Sequence, residues 1–127
     1  MTELSNEKYF DIKNCIKNWI VSINEEEKLP EGIVAINFGL FEPYGIELIG
    51  SKQYDAEDDD WACEEDFEPQ NRECPQFEIS EDFNWEYVLE IITKILKELV
   101  NELANLEILN VEHITTGFCD GDLVVIK

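Results

Sequence analysis

The chain is poor in positive charge. It carries 9 lysines and arginines against 30 aspartates and glutamates, with one histidine, for a formal net charge of −21. That excludes direct binding to nucleic acid or to an anionic membrane, both of which need basic protein surface. Long apolar runs are also missing: nothing approaches the roughly 18 residues that mark a membrane-spanning helix. The segment Met1 to Phe10 is polar and lacks the apolar core of a signal peptide, so the expected location is the cytoplasm. Cysteine is sparse and irregular, at Cys15, Cys63, Cys74 and Cys119. Such spacing does not resemble a secreted disulfide framework, and reduced thiols are expected.

Catalytic signatures are missing as well. The sequence has no glycine-rich phosphate loop, nucleophile elbow or HExxH pair. Its one histidine, His113, falls in a predicted strand. Carboxylates are abundant, but no pair stands apart as acid and base. The reading is a protein without enzymatic activity and without a cofactor.

What is present is globular. The chain has 127 residues, 44% of them hydrophobic and 11% aromatic. That suits a single domain able to bury roughly two thirds of the surface its unfolded form exposes. The charge therefore does not force disorder.

From about Asn6 to Ile23, Tyr9, Ile12, Ile16, Trp19 and Ile23 recur at spacings of three and four, which predicts a helix. Ile33 to Phe41 alternates as a strand. Glu42-Pro43-Tyr44-Gly45 predicts a turn, with glycine free to take a positive φ, and Ile46 to Tyr54 the returning strand. Gln76 to Ile79 suits a short strand. A second helix is predicted over about Glu81 to Leu106, with Val88, Ile92, Ile95, Leu99 and Leu103 as its stripe and Ser80 or Asp82 as its cap. Ile108 to Phe118 and Leu123 to Ile126 predict two more strands, joined at Cys119-Asp120-Gly121-Asp122. Helix plus hairpin thus occurs twice. The expected fold is one α+β domain over 1–127, in two layers. An antiparallel sheet of four or five strands carries two helices on one face, with an acidic loop insertion at about 55–75.

Charge is distributed unevenly. Glu42 to Glu86 hold 16 acids against Lys52 and Arg72. Crowded carboxylates repel one another and cost stability. The plain explanation is a solvated, solubilising surface. Trp61, Phe67, Trp85 and Tyr87 are interleaved with the acids, however, and rings beside carboxylates suit a protein interface. In this reading Asp58, Asp59, Asp60, Glu64, Glu65 and Asp66 are steering charges, with Trp61 and Phe67 as anchors. Metal binding is the competing use. The run Asp55 to Asp60 has the acid density of a calcium loop, but its sixth position is Asp60 where an EF-hand needs glycine. Cys63, Cys74, His113 and Cys119 are zinc-ligand types without a close Cys-x-x-Cys pair.

Two segments carry a family resemblance. One is Tyr44-Gly45-Ile46-Glu47-Leu48-Ile49-Gly50 followed by Tyr54-Asp55-Ala56-Glu57-Asp58-Asp59-Asp60-Trp61-Ala62-Cys63. The other is Thr116-Gly117-Phe118-Cys119-Asp120-Gly121-Asp122-Leu123. About a third of the chain in this way resembles small acidic bacterial immunity proteins of polymorphic toxin systems. The resemblance implies a stoichiometric inhibitor that binds and blocks a cognate cationic toxin domain, such as a nuclease. The alternatives are a divalent-metal-binding module built on the acidic loop and a non-catalytic adaptor.

Overall fold

The computed structural model describes residues 4–55, 57, 58, 61, 62, 65–118 and 121–127. Helix α1 spans Asn6–Glu26 and starts where the Ser5 side chain accepts from the Lys8 amide at 3.2 Å. This is the N-cap arrangement that satisfies a free amide of the first turn. Its apolar stripe of Ile12, Ile16, Trp19, Ile20 and Ile23 is buried. Strands β1 (Ala35–Phe41) and β2 (Gly45–Ser51) form the predicted hairpin. Helix α2 (Trp85–Glu102) buries Val88, Ile92, Ile95, Leu96 and Leu99. A 3₁₀ turn at Glu107–Leu109 precedes β3 (His113–Phe118) and the two-residue β4 (Val124–Val125).

The sheet order is β2-β1-β3-β4, and the sheet is mixed rather than antiparallel throughout. Strand β1 pairs antiparallel with β2 but parallel with β3, and β3 pairs antiparallel with β4. The path of α2 explains the difference. The helix begins beside the β1–β2 turn, where the Tyr44 hydroxyl donates to the Phe83 carbonyl at 2.6 Å. The chain then returns to the start of β1, where the His113 amide donates to the Val34 carbonyl. A strand entering at the end where β1 enters must run in the same direction. Two locally antiparallel hairpins thus meet along a parallel seam.

Alternation assigns the two sides of the sheet. Ile36, Phe38, Leu40, Ile46, Leu48, Ile114 and Phe118 join the buried residues of both helices in one cluster. Each such side chain contributes about 1.5–3 kcal/mol when fully buried. Trp19 of α1 meets Phe38 of β1 edge-on at 6.1 Å. The helices are tied to each other by polar contacts: Tyr9 donates to Glu98 at 2.6 Å, and Lys13 pairs with Glu98 and Glu102. The Tyr9 hydroxyl and then Lys13 hold the Glu98 carboxyl below its ordinary range.

Three local expectations change. Residues 76–79 form no strand; the outer edge of β2 is covered instead by residues 67 and 72–74. The cap of α2 is Asn84, which accepts from the Tyr87 amide at 2.8 Å, so neither Ser80 nor Asp82 fills that role. Gly45 does not need a positive φ, which among the described glycines belongs to Gly32. Gly45 is required by space, because a Cβ there would lie 2.4 Å from the Phe41 ring.

Candidate functional site

The second side of the sheet is built from Ala35, Asn37 and Gly39 of β1, Glu47, Ile49 and Ser51 of β2, and His113, Thr115 and Gly117 of β3. Tyr54 and Trp61 of the acidic segment lie over this side. Tyr54 stacks on His113 with ring centroids 3.7 Å apart, and Trp61 packs against Tyr54 at 5.1 Å. The segment then reaches the free edge of β2. Phe67 and Gly50 exchange two backbone hydrogen bonds, the Leu48 amide donates to Arg72, and the Cys74 amide donates to Ile46. The Asp66 carboxylate accepts from the Lys52 amide at 2.8 Å and holds the loop from below. An irregular strand substitute thus closes an edge that would otherwise expose unpaired backbone groups.

This placement divides the residues singled out from sequence. Trp61 is 4% exposed and Phe67 7%. Both rings are occupied by packing within the chain and fasten the segment, so neither stands at the surface as a free anchor. Asp58, Glu65 and Asp66 are exposed, and both oxygens of Glu65 accept from Arg72. Asp59, Asp60 and Glu64 lie outside the described residues. Among the described residues, two large aromatics stand at the surface: Phe10 of α1, 60% exposed, and Trp85 of α2, 49% exposed and edge-on to Phe118. The neighbours of Trp85 in sequence, Asp82 and Glu86, are exposed acids.

Beside the segment a cleft of about 340 Å³ opens on the same side of the sheet. Gly39 and Gly117, paired across β1 and β3, give it a floor without side chains. Phe41, Ile49, Ala62 and Leu123 line it with apolar surface. Asn37 lies in the next row and is 8% exposed; its carbonyl oxygen accepts from the Thr115 hydroxyl at 2.9 Å.

The polar wall of the cleft is a guanidinium among carboxylates. Arg72 donates to Glu47 at 2.6 Å, to both oxygens of Glu65, and pairs with Glu68 at 3.3 Å. These hydrogen bonds, Glu65 foremost, hold the Arg72 charge even more firmly than usual. One cation among three carboxylates leaves the wall negative. Arg72→Met is expected to cost about 1–2 kcal/mol at low salt, because the carboxylates would then face one another at a partly exposed site. The loss should shrink as salt screens them. Urea denaturation at two ionic strengths measures this, and an unchanged midpoint at low salt would contradict it.

The zinc-type residues do not assemble among those described. Cys74 packs against Cys15 beneath α1, whereas His113 stacks on Tyr54 across the sheet. Cys63 and Cys119 lie outside the described residues. Among the described residues, no group of three or more His, Cys, Asp or Glu side chains is placed to hold a metal ion. Also among them, no helix is long and apolar enough to cross a membrane.

Sequence reasoning missed the cleft and its Arg72 wall. Arg72 was visible as the one base among ten acids between Gln53 and Pro75, which is the signal that could have marked it. Comparison with known protein families, curated proteins and solved structures returned no match for this chain.

Proposed function

We propose that the chain is a stoichiometric inhibitor of the immunity type, a cytoplasmic bacterial protein that binds and neutralises a cationic toxin domain. The observation that carries this reading is the state of Arg72. It is the one basic residue between Gln53 and Pro75, and its charge is already taken up by Glu47, Glu65 and Glu68. Among the described residues, exposed Asp55, Glu57 and Asp66 are not among the ion-pair partners of Arg72. Buried Trp61 and Phe67 fasten that segment, so its carboxylates are presented on a held backbone. Holding charge in place costs stability, and a cationic partner would recover it.

The reading takes both helices as the cover of one side of the sheet and leaves the acidic side for the partner. A toxin that cuts nucleic acid is basic where it grips phosphate. An acidic surface can occupy that ground and associate at roughly 10⁸ M⁻¹s⁻¹ or faster at low salt.

The test is to express the chain with the basic C-terminal domain of a secreted protein encoded beside it. The expected result is a one-to-one complex and loss of the domain's toxic activity at equimolar inhibitor. Failure to form a complex at low salt would defeat the proposal.

A further inference from the structure

We propose that Cys15 and Cys74 are a dithiol site that closes to a reversible disulfide when it meets a small-molecule disulfide such as oxidised glutathione. The two sulfurs stand 3.6 Å apart although the residues are 59 positions apart in sequence. Both are free thiols. Cys15 lies on α1, and Cys74 lies on the stretch that covers the outer edge of β2. A bond between them would therefore join the helix layer to the end of the acidic segment.

The two sulfurs differ in access. Cys74 is 8% exposed. Cys15 is partly exposed and opens onto a surface hollow of about 420 Å³, shared with Asn14, Asn18, Asn71 and Pro75. A small reagent can approach Cys15 through that hollow, and among the described residues Cys74 is then its nearest thiol. Burial, with the neighbouring Cys15 sulfur, pushes the Cys74 thiol up. Cys15 is thus the first to react and Cys74 the resolving group, an order that matches exposure.

The chemistry closes without any other reactant. The Cys15 thiolate attacks one sulfur of oxidised glutathione; the glutathione S–S bond breaks, and one glutathione leaves as a thiolate and takes up a proton. Cys15 then carries a mixed disulfide. Cys74 gives up its proton to solvent, and its sulfur displaces the second glutathione from Cys15. Two protein thiols are oxidised and one glutathione disulfide is reduced to two thiols. Excess reduced glutathione or dithiothreitol reverses the sequence.

The proposal does not depend on the inhibitor reading, since a chain that binds no toxin would still close the pair. The test treats the full chain with oxidised glutathione. Expected are a mass loss of two hydrogens, a tryptic cross-link between the Cys15 and Cys74 peptides, and a rise in Tm on the order of 10 °C that dithiothreitol reverses. Cys15→Ala and Cys74→Ala should each abolish the cross-link and the rise. Three results would overturn the proposal: a glutathione that stays on Cys15 while Cys74 keeps its thiol, a cross-link that instead uses Cys63 or Cys119, or the same Tm rise in either variant. A variant that fails to fold leaves the wild-type cross-link map to decide.

Discussion

Phe38→Ala is expected to lower the unfolding free energy by about 3–5 kcal/mol, the range for removing a buried aromatic ring. Phe38 is fully buried at the centre of β1, between Leu48 of β2 and Thr116 of β3. Its ring meets Trp19, a contact between α1 and the sheet. Alanine would leave a cavity walled by β-strands on one side and a helix on the other, and neither can move in without disturbing the seam between β1 and β3. Tm should fall by about 10–20 °C. Chemical denaturation measures the effect directly. A loss under about 1 kcal/mol would show that the helix–sheet core does not depend on this contact.

The second large effect concerns association. If the chain is the proposed inhibitor, changing Asp58, Asp59 and Asp60 together to asparagine should slow binding to a cationic partner domain by about 10–100-fold at low salt. Steering acts over a Debye length, roughly 10 Å at 0.1 M salt, so the difference should fade as ionic strength rises. Dissociation should change far less, because exposed charges act mainly on the approach of the partners. Stopped-flow mixing over a salt series separates the two rates. Equal association rates for variant and parent at low salt would remove these residues from the encounter. Asparagine keeps nearly the shape of aspartate, and Asp58 is exposed.

How far the sequence revealed these features depends on the distance over which each is decided. The stripes Ile12-Ile16-Trp19-Ile23 and Val88-Ile92-Ile95-Leu99 lie within single helices, and both were legible from their spacing. The alternation over Ile33 to Phe41 gave β1, but with apolar residues on both faces it did not say which one the helices cover. The direction of β3 was not legible. Each hairpin is a local antiparallel signal, whereas the parallel seam depends on where α2 delivers the chain. The cap of α2 was ambiguous for a different reason: Ser80, Asp82 and Asn84 are all good capping types within one turn of each other.

The candidate site follows the same rule. Acid density in residues 55–68 is a property of composition and could be read at once. The placement of Trp61 and Phe67 could not, because a ring that fastens a loop and a ring that anchors a partner look alike in sequence. Gly39 and Gly117 make a cleft floor only once β1 and β3 pair, and Cys15 meets Cys74 only once the edge of β2 is covered. Arg72 shows the limit clearly: its type was visible, but its three carboxylate partners come from β2 and from two points of the loop.

The proposed inhibitor function requires the acidic side of the sheet to be the face that meets a cationic partner. Hydrogen exchange of the chain, alone and bound to the cognate basic domain, measures this. The predicted result is slowed exchange across residues 52–75, with α1 and α2 unchanged. Protection confined to the helices, with residues 52–75 exchanging as fast as in the free chain, would contradict it.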